Sequence, residues 1–455
     1  MAFFHLKTVP GQGWPPLPDS VFAQVWNAYL ELDRTQWLDR AEIEQRQLTQ
    51  VRTLLTHCIA NVPYYRQALA GIKPASIQTM DDFRRFPLLL RRVYQEQNAS
   101  FVATKLPPGT IATTTTQTSG SSGTPTDTHH TNMTQLWWHA FFLRDLEWCN
   151  FDPTGTLAAI RFSERSTRKP REAVMRCWSL VLDPLIESAP TFGIDLHQDP
   201  REQLRSLRRI APNYLLGYGA SLEALALLAG AEGPIPSLRG IQSISTNLSA
   251  EAQATIEKAF GVPVKNTYSC NEAGYLASPC PDGPGLHVHA ENVLLEVLDE
   301  QGRPCAPGET GAVYLTVLHN LRGPLIRYEV GDQVTLAPAP CPCGRGLPLL
   351  TDVLGKQNPL FCLPDGSRRH ATALASLLRG IGGYWQQQLI QKAADHVVLR
   401  LAVVPGWTEQ KTEAMTQAIR QFFGAPIRVD VEILDHLPLP RSGKFQGMIN
   451  EIPAT

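Results

Sequence analysis

The order of apolar runs predicts an α/β fold, on three observations. Strand-like runs alternate with helical stretches from Leu157 to Leu248, long amphipathic helices precede them, and successive strands follow Gly285. With 455 residues and 43% hydrophobic content, the chain has enough apolar material for a large core and more than one domain. A formal charge of -1 and the lack of Lys/Arg-rich blocks give no footprint for nucleic acid and point to small substrates. No apolar run approaches the length that crosses a bilayer, and Met1 to Trp14 lacks the pattern of a signal peptide, so a cytoplasmic protein without membrane contact is expected. Nine cysteines in so large a chain argue for reduced thiols, some of them available as metal ligands.

Taken in order, residues 21–69 read as helical, with Leu48, Val51, Leu55, Cys58 and Ile59 on one face and Pro63 ending the helix. A hydroxyl-rich stretch then contains Thr118-Ser119-Gly120-Ser121-Ser122-Gly123-Thr124. Its glycines free the backbone, and its hydroxyls and N–H groups suit phosphate oxygens. It lacks the Gly-Lys-Ser/Thr ending of a P-loop, so the lysine must come from elsewhere; a solvated linker has the same composition. The dense aromatic run Leu136 to Leu143 sits on a helix after this stretch, as core or as pocket wall.

Pro212 to Ala220 followed by Leu222 to Ala229 reads as strand then helix. Leu238 to Ser245 is another strand, and Ser249 and Gly261 bound the next helix. Val262 to Thr267 returns as a strand into Tyr268, and carboxyl ends of such strands are where open parallel sheets place ligands. Residues 292–298 and 311–318, joined by Asp299-Glu-Gln-Gly302, suggest a small barrel or meander. The last hundred residues read as a small α+β domain, with strands at 396–404 and 427–434 and a helix at 408–423.

Three further stretches carry chemistry. Tyr268-Ser269-Cys270-Asn271-Glu272 sets a ring able to stack on a base beside a carboxylate suited to Mg²⁺. Arg327-Tyr-Glu-Val-Gly-Asp332 ends in an acid that can accept from both ribose hydroxyls, and Ser442-Gly-Lys444 offers a lysine on a glycine-flanked loop. Each has a bland alternative as surface turn or tail. Cys270 reads as a small apolar filler rather than a nucleophile. By composition, Cys280, His287, Cys341 and Cys343 form a soft tetrahedral donor set for Zn²⁺, with His289 as a substitute for His287.

Together the hydroxyl loop, Tyr-x-x-x-Glu, Arg-Tyr-x-x-Gly-Asp and Ser-Gly-Lys occur in the order seen in adenylate-forming acyl ligases, which the chain resembles throughout. Asn61-Val-Pro-Tyr-Tyr-Arg66, Gly285-Leu-His287, Pro324 to Asp332 and Cys341-Pro-Cys-Gly-Arg345 resemble the phenylacetate–coenzyme A ligase branch, with its capsule-biosynthesis-type and coenzyme F390 synthetase-like relatives. The resemblance implies an α/β protein with a large N-terminal domain of two α/β layers plus a distorted barrel, residues 1–354, and a small mobile α+β lid, residues 355–455. Within the large domain it implies a helical lead-in (1–110), an α/β part (111–284) and a barrel-like part (285–354).

It further implies ATP phosphates at Thr118 to Thr124, adenine against Tyr268, Mg²⁺ at Glu272, ribose at Asp332, and Lys444 as the adenylation lysine. Ser269 and Asn271 would flank the α-phosphate, Asn271 replacing the usual Thr or Ser. Ser245-Thr-Asn247 replaces the family's Gly-Ala-Glu-like turn. Lys356 stands for the usual arginine, and Gln357-Asn358 for the hinge acids, which puts the usual rotation of the lid in question. The expected activity is ATP-dependent activation of a small carboxylic acid as an acyl-adenylate, with transfer to coenzyme A. Trp138, Phe141, Phe142 and the Gly217-Tyr218-Gly219 turn are candidates for a flat pocket suited to an aromatic or arylacetic acid. A carrier-protein thiol or an amine as acceptor uses the same first step, and a degenerate nucleotide-binding module is the alternative of another class. The zinc would be structural, and the resemblance is compatible with a homodimer.

Overall fold

The computed structural model describes residues 4–12, 14–117, 126–161, 173–230, 233–244, 248–355, 360–404, 406–437 and 445–452. Internal contacts divide the chain into two units. The first comprises residues 1–155, 176–190 and 265–355, and the second 156–175, 191–264 and 356–455.

In the first unit, Arg40–Asn61 forms a helix because Asp39 caps it, its carboxylate accepting from the Glu42 N–H at 2.7 Å. Its buried stripe is Ile43, Leu48, Val51, Leu54, Leu55 and Cys58, and Ile59 lies only partly buried beside it. Pro63 does more than end that helix: as the first residue of Pro63–Ala68 it starts the next, where its missing N–H costs nothing. The stripe packs on a seven-stranded antiparallel sheet. Its spatial order is Val293–Leu298, Thr310–Val317, Tyr328–Leu336, Leu349–Gly355, Leu286–Val288, Gly274–Pro279 and Tyr268–Cys270. The sheet curls, since Tyr268 on the last strand meets Asp332 on the third, but no backbone pair closes it among the described residues. The expected barrel is therefore a curled open sheet.

The aromatic run lies on the helix Asn132–Trp148, started by a capping box between Thr131 and Thr134. It follows the strand Asp127–Thr131, which pairs antiparallel with Ala112–Gln117 as far as Gln117 and Asp127.

The second unit contains the α/β alternation. Its six-stranded sheet runs Ala173–Met175, Thr191–Asp195, Leu157–Arg161, Tyr214–Tyr218, Gly240–Ile244, Val264–Asn266. The inner pairs are parallel, an arrangement that needs crossover connections rather than tight turns. Ser249 caps Ala250–Phe260, and Gly261 ends it in the left-handed region at φ 70°. The C-terminal residues build a four-stranded sheet in the order Arg428–Ile433, His396–Val403, Tyr384–Ala393, Met448–Asn450, with the helix Glu409–Phe423 burying Met415, Ile419 and Phe422 in its core. Among the described residues no helix is long and apolar enough to cross a membrane.

Candidate functional site

Four predicted or motif-borne residues meet in the first unit. Tyr268, on the edge strand, is 7% exposed and donates its hydroxyl to Asp332 Oδ2 at 2.9 Å. Burial and the nearby carboxylate push that hydroxyl well above its ordinary range, so it stays a donor. Glu272, in the turn after this strand, is 5% exposed, and Tyr328 donates to its Oε1 at 3.3 Å. Burial, then the Glu272 charge, keeps the Tyr328 hydroxyl protonated as well. Asn271 is exposed and Ser269 and Cys270 are half-buried; burial pushes the Cys270 thiol far up, so no thiolate nucleophile forms there.

Two residues that the sequence did not single out complete this cluster. Arg91 places Nη1 at 3.3 Å from Glu272 Oε1 and donates from the same nitrogen to Val330 O at 3.2 Å. Tyr94, its hydroxyl pushed up to about 12 by burial, donates to Asp127 O at 3.1 Å, and its ring meets Tyr328 edge-on at 5.5 Å. Tyr94 thus joins the start of the strand Asp127–Thr131 to the Glu272 cluster. Only the paired basic residues Arg91-Arg92 after an apolar run signalled this in the sequence.

Tyr328 is held in place by Arg327, whose φ of 48° is unusual for a side chain of this size and costs on the order of 1–3 kcal/mol. The surroundings over-determine it. Its guanidinium makes a two-pronged pair with Glu296 at 2.9 Å on each prong, and donates to the carbonyls of Arg84 and Phe86.

The aromatic candidates divide. Trp138 is 42% exposed and lies over Gly274, where φ is 75° and a Cβ would come within 2.8 Å of the ring. Phe142 is half-buried. Phe141 is 1% exposed and packs on His289 at 4.7 Å, which makes it core. Gly217-Tyr218-Gly219 stands at the carboxyl end of its strand in the second unit. Thr118 to Thr124, Ser245, Lys356 and Lys444 lie outside the described residues.

The sulfur and imidazole donors converge. The ligand atoms of Cys280, His287, Cys341 and Cys343 all lie within 4.8 Å of one another. Cys280 Sγ is 3.7 Å from Cys341 Sγ, and His287 Nε2 is 3.3 Å from Cys343 Sγ. A tetrahedral zinc with bonds of about 2.3 Å to sulfur separates its sulfurs by about 3.8 Å, so the four donors fit that ion. Burial holds His287 down to about 4, the neutral form a metal requires, while its Nδ1 lies 3.3 Å from Leu347 O. Burial would raise the Cys343 thiol, but hydrogen bonds from Arg345 and the neighbouring thiols outweigh it and lower it. Gly285, at φ 90°, lets the strand of His287 approach; a Cβ there would meet Leu350 O at 2.6 Å. His289 does not substitute for His287. It sits between Ser278 Oγ at 2.9 Å and Arg144 Nη1 at 3.3 Å, with Ser278 donating onward to Asp145.

Residues 361–451 match the CapK C-terminal domain. Over 338 residues the chain is 23% identical to the phenylacetate–coenzyme A ligase of Escherichia coli K12, covering 68% of this chain and 70% of that protein. Among solved structures, 2-hydroxyisobutyryl-CoA ligase in its postadenylation state with R3-HIB-AMP superposes with a TM-score of 0.72 at 19% identity, over 92% of each chain. The open conformation of that ligase, with 2-HIB-AMP and CoA, gives 0.61 at 18% identity over 92% of this chain and 94% of the other. The chain therefore has the fold of 2-hydroxyisobutyryl-CoA ligase, matches the CapK C-terminal domain over its last part, and is similar to phenylacetate–coenzyme A ligase.

Proposed function

We propose that the protein is an ATP-dependent acid–thiol ligase that activates a small carboxylic acid as its acyl-adenylate and passes the acyl group to coenzyme A. The observation that carries this reading is the convergence of Tyr268, Glu272, Tyr328 and Asp332 in one largely buried cluster, tied through Tyr94 to the strand Asp127–Thr131. Relatives named as coenzyme A ligases support it.

In the first step a carboxylate oxygen of the acid attacks the α-phosphorus and pyrophosphate leaves; in the second the coenzyme A sulfur attacks the acyl carbon and AMP leaves. Asp332 accepts from the ribose, and Tyr268, by donating to Asp332, fixes the carboxylate that does so. The hydroxyls and N–H groups of Thr118 to Thr124 hold the phosphates, flanked by Ser269 and Asn271, and Lys444 offsets the charge that builds at the α-phosphate. By the resemblance, Ser245 and Lys356 would also take part in nucleotide binding. Glu272 would hold Mg²⁺, which supplies positive charge between the phosphates. Trp138 beside Gly274, with Phe142, suits an aromatic or arylacetic acid, and the Gly217-Tyr218-Gly219 turn is kept as a candidate from the sequence alone. ATP and coenzyme A as soluble cosubstrates go with a cytoplasmic location.

The four-donor cluster of Cys280, His287, Cys341 and Cys343 would hold a structural Zn²⁺, since a closed set leaves no position for water. Metal analysis of protein purified without chelator should find one zinc, and Cys343→Ala should lose it together with thermal stability. Zinc-free protein with an unchanged melting temperature in the variant would remove the assignment.

The test of function is pyrophosphate release from ATP with aryl, arylacetic and short hydroxy acids, with and without coenzyme A, with Lys444→Ala as the blank. Acid-dependent release plus a thioester by mass spectrometry is the expected result. Release without thioester would point to a carrier-protein thiol or an amine, and no release from folded, ATP-binding protein would favour a non-catalytic module.

A further inference from the structure

The Glu272 carboxylate is engaged before any metal arrives. Beside the Tyr328 hydroxyl its charged partner is Arg91, and both ionic groups are largely withdrawn from solvent, the side chains being 18% and 5% exposed. Arg91 is fixed from its backbone outward. Leu89 N–H donates to Arg327 O and Glu329 N–H to Leu89 O, both at 2.9 Å, and the Arg91 N–H donates to Glu329 Oε2 at 3.0 Å. These bonds hold Arg91 against the strand that carries Tyr328 and Asp332. Its guanidinium is only partly used. Nη1 divides between Glu272 and Val330 O, and Nε is buried with no hydrogen-bond partner among the described residues. A largely buried guanidinium with an unused donor, joined to its carboxylate by one contact, is costly to keep and easy to rearrange.

Resting on the reading of Glu272 as the magnesium ligand, we infer that Arg91 is a positioning residue that occupies Glu272 as counter-ion and excludes a divalent cation until a polyphosphate enters. A phosphate oxygen can take the donors Arg91 withdraws from Glu272, including the unused Nε–H, and Glu272 is then open to the metal that the phosphates carry. Cation binding at Glu272 is thereby made conditional on nucleotide.

The test uses Mn²⁺ in place of magnesium, read by electron paramagnetic resonance on zinc-loaded protein without nucleotide. The native protein should show no saturable Mn²⁺ site at Glu272 until ATP is added. Arg91→Met should bind Mn²⁺ without nucleotide about tenfold or more tighter than the native protein, because the competing charge is gone. Arg91→Lys, which keeps the charge and loses the fork, should lie between. Arg91→Met with Glu272→Gln should lose the gained site. Circular dichroism establishes that each variant is folded. Nucleotide-independent Mn²⁺ binding by the native protein that Glu272→Gln abolishes would overturn the inference, even if Arg91→Met failed to fold. So would equal Mn²⁺ affinity in folded Arg91→Met and native protein. The parent reading fails separately: if Glu272→Gln keeps full Mg²⁺-dependent pyrophosphate release, Glu272 is no metal ligand.

Discussion

Two arginine–glutamate pairs, one buried and one with a half-buried arginine, sit in the same unit and differ in how fully they are used. Arg327 and Glu296, 4% and 6% exposed, meet through two prongs, and Nη1 donates to the carbonyls of Arg84 and Phe86, so that every guanidinium nitrogen has a partner. Arg91 and Glu272 meet through one nitrogen at 3.3 Å and leave a donor unused among the described residues. The first pair is saturated and holds the strand of Tyr328; the second is under-coordinated beside the candidate nucleotide site. Saturation thus separates an ion pair that maintains the fold from one that can exchange partners.

The largest expected effect falls on the saturated pair. Arg327→Met leaves Glu296 buried without a counter-charge and should cost about 3–5 kcal/mol of stability in urea unfolding, with Arg91→Met costing roughly half that or less. Equal losses would erase the distinction. Next comes chemistry: Glu272→Gln should lower adenylation about 10²–10³-fold, with the fold and ATP binding retained. Matching loss of ATP binding would make Glu272 a structural acid instead.

A third arginine qualifies the contrast. Arg144, 1% exposed, meets Glu291 through two prongs and donates to Leu32 O and His289, but its Nε, like that of Arg91, has no partner among the described residues, so it stands between the two pairs. Burial, and then the Arg144 charge, hold His289 well below its ordinary value, so the folded protein keeps it neutral. Unfolding lets it take a proton below about pH 6.5, so its contribution to stability is present above that pH and is lost as the pH falls through it. Near pH 5.5, His289→Gln should flatten the stability profile by up to about 1.4 kcal/mol per pH unit. A profile unchanged in slope would mean that His289 is charged in the folded state. The smallest effect is the control: removing the exposed Arg46–Glu42 pair should change stability by under about 0.5 kcal/mol.

Much of this was legible because the signals are local. Ser249 caps its helix through a bond spanning three residues, as its sequence position predicts, and the Leu48 to Cys58 stripe follows helical spacing. The zinc-type cluster was legible too, since four soft donors in one chain have few other uses. Arg91 was not, because it reaches Glu272 across 181 positions and only strand pairing at Leu89 and Tyr328 brings them together. Reading Phe141 as a wall candidate failed for a similar reason. Trp138 and Phe141 share a helix three residues apart, and which one faces outward is decided by His289, from a distant strand turn. The curl that replaces the barrel follows from side chains, Tyr268 on Asp332, which no pattern of alternation reports.

The close fit of Trp138 over Gly274 has a consequence for anyone reshaping the proposed acyl pocket. The ring and the missing side chain are a matched pair, so positions 138 and 274 will not vary independently. A library that alters residue 274 alone will mostly return misfolded or displaced rings. Trimming Trp138 first clears the space, after which residue 274 is restricted only by its left-handed backbone, and asparagine and aspartate become the substitutions to try.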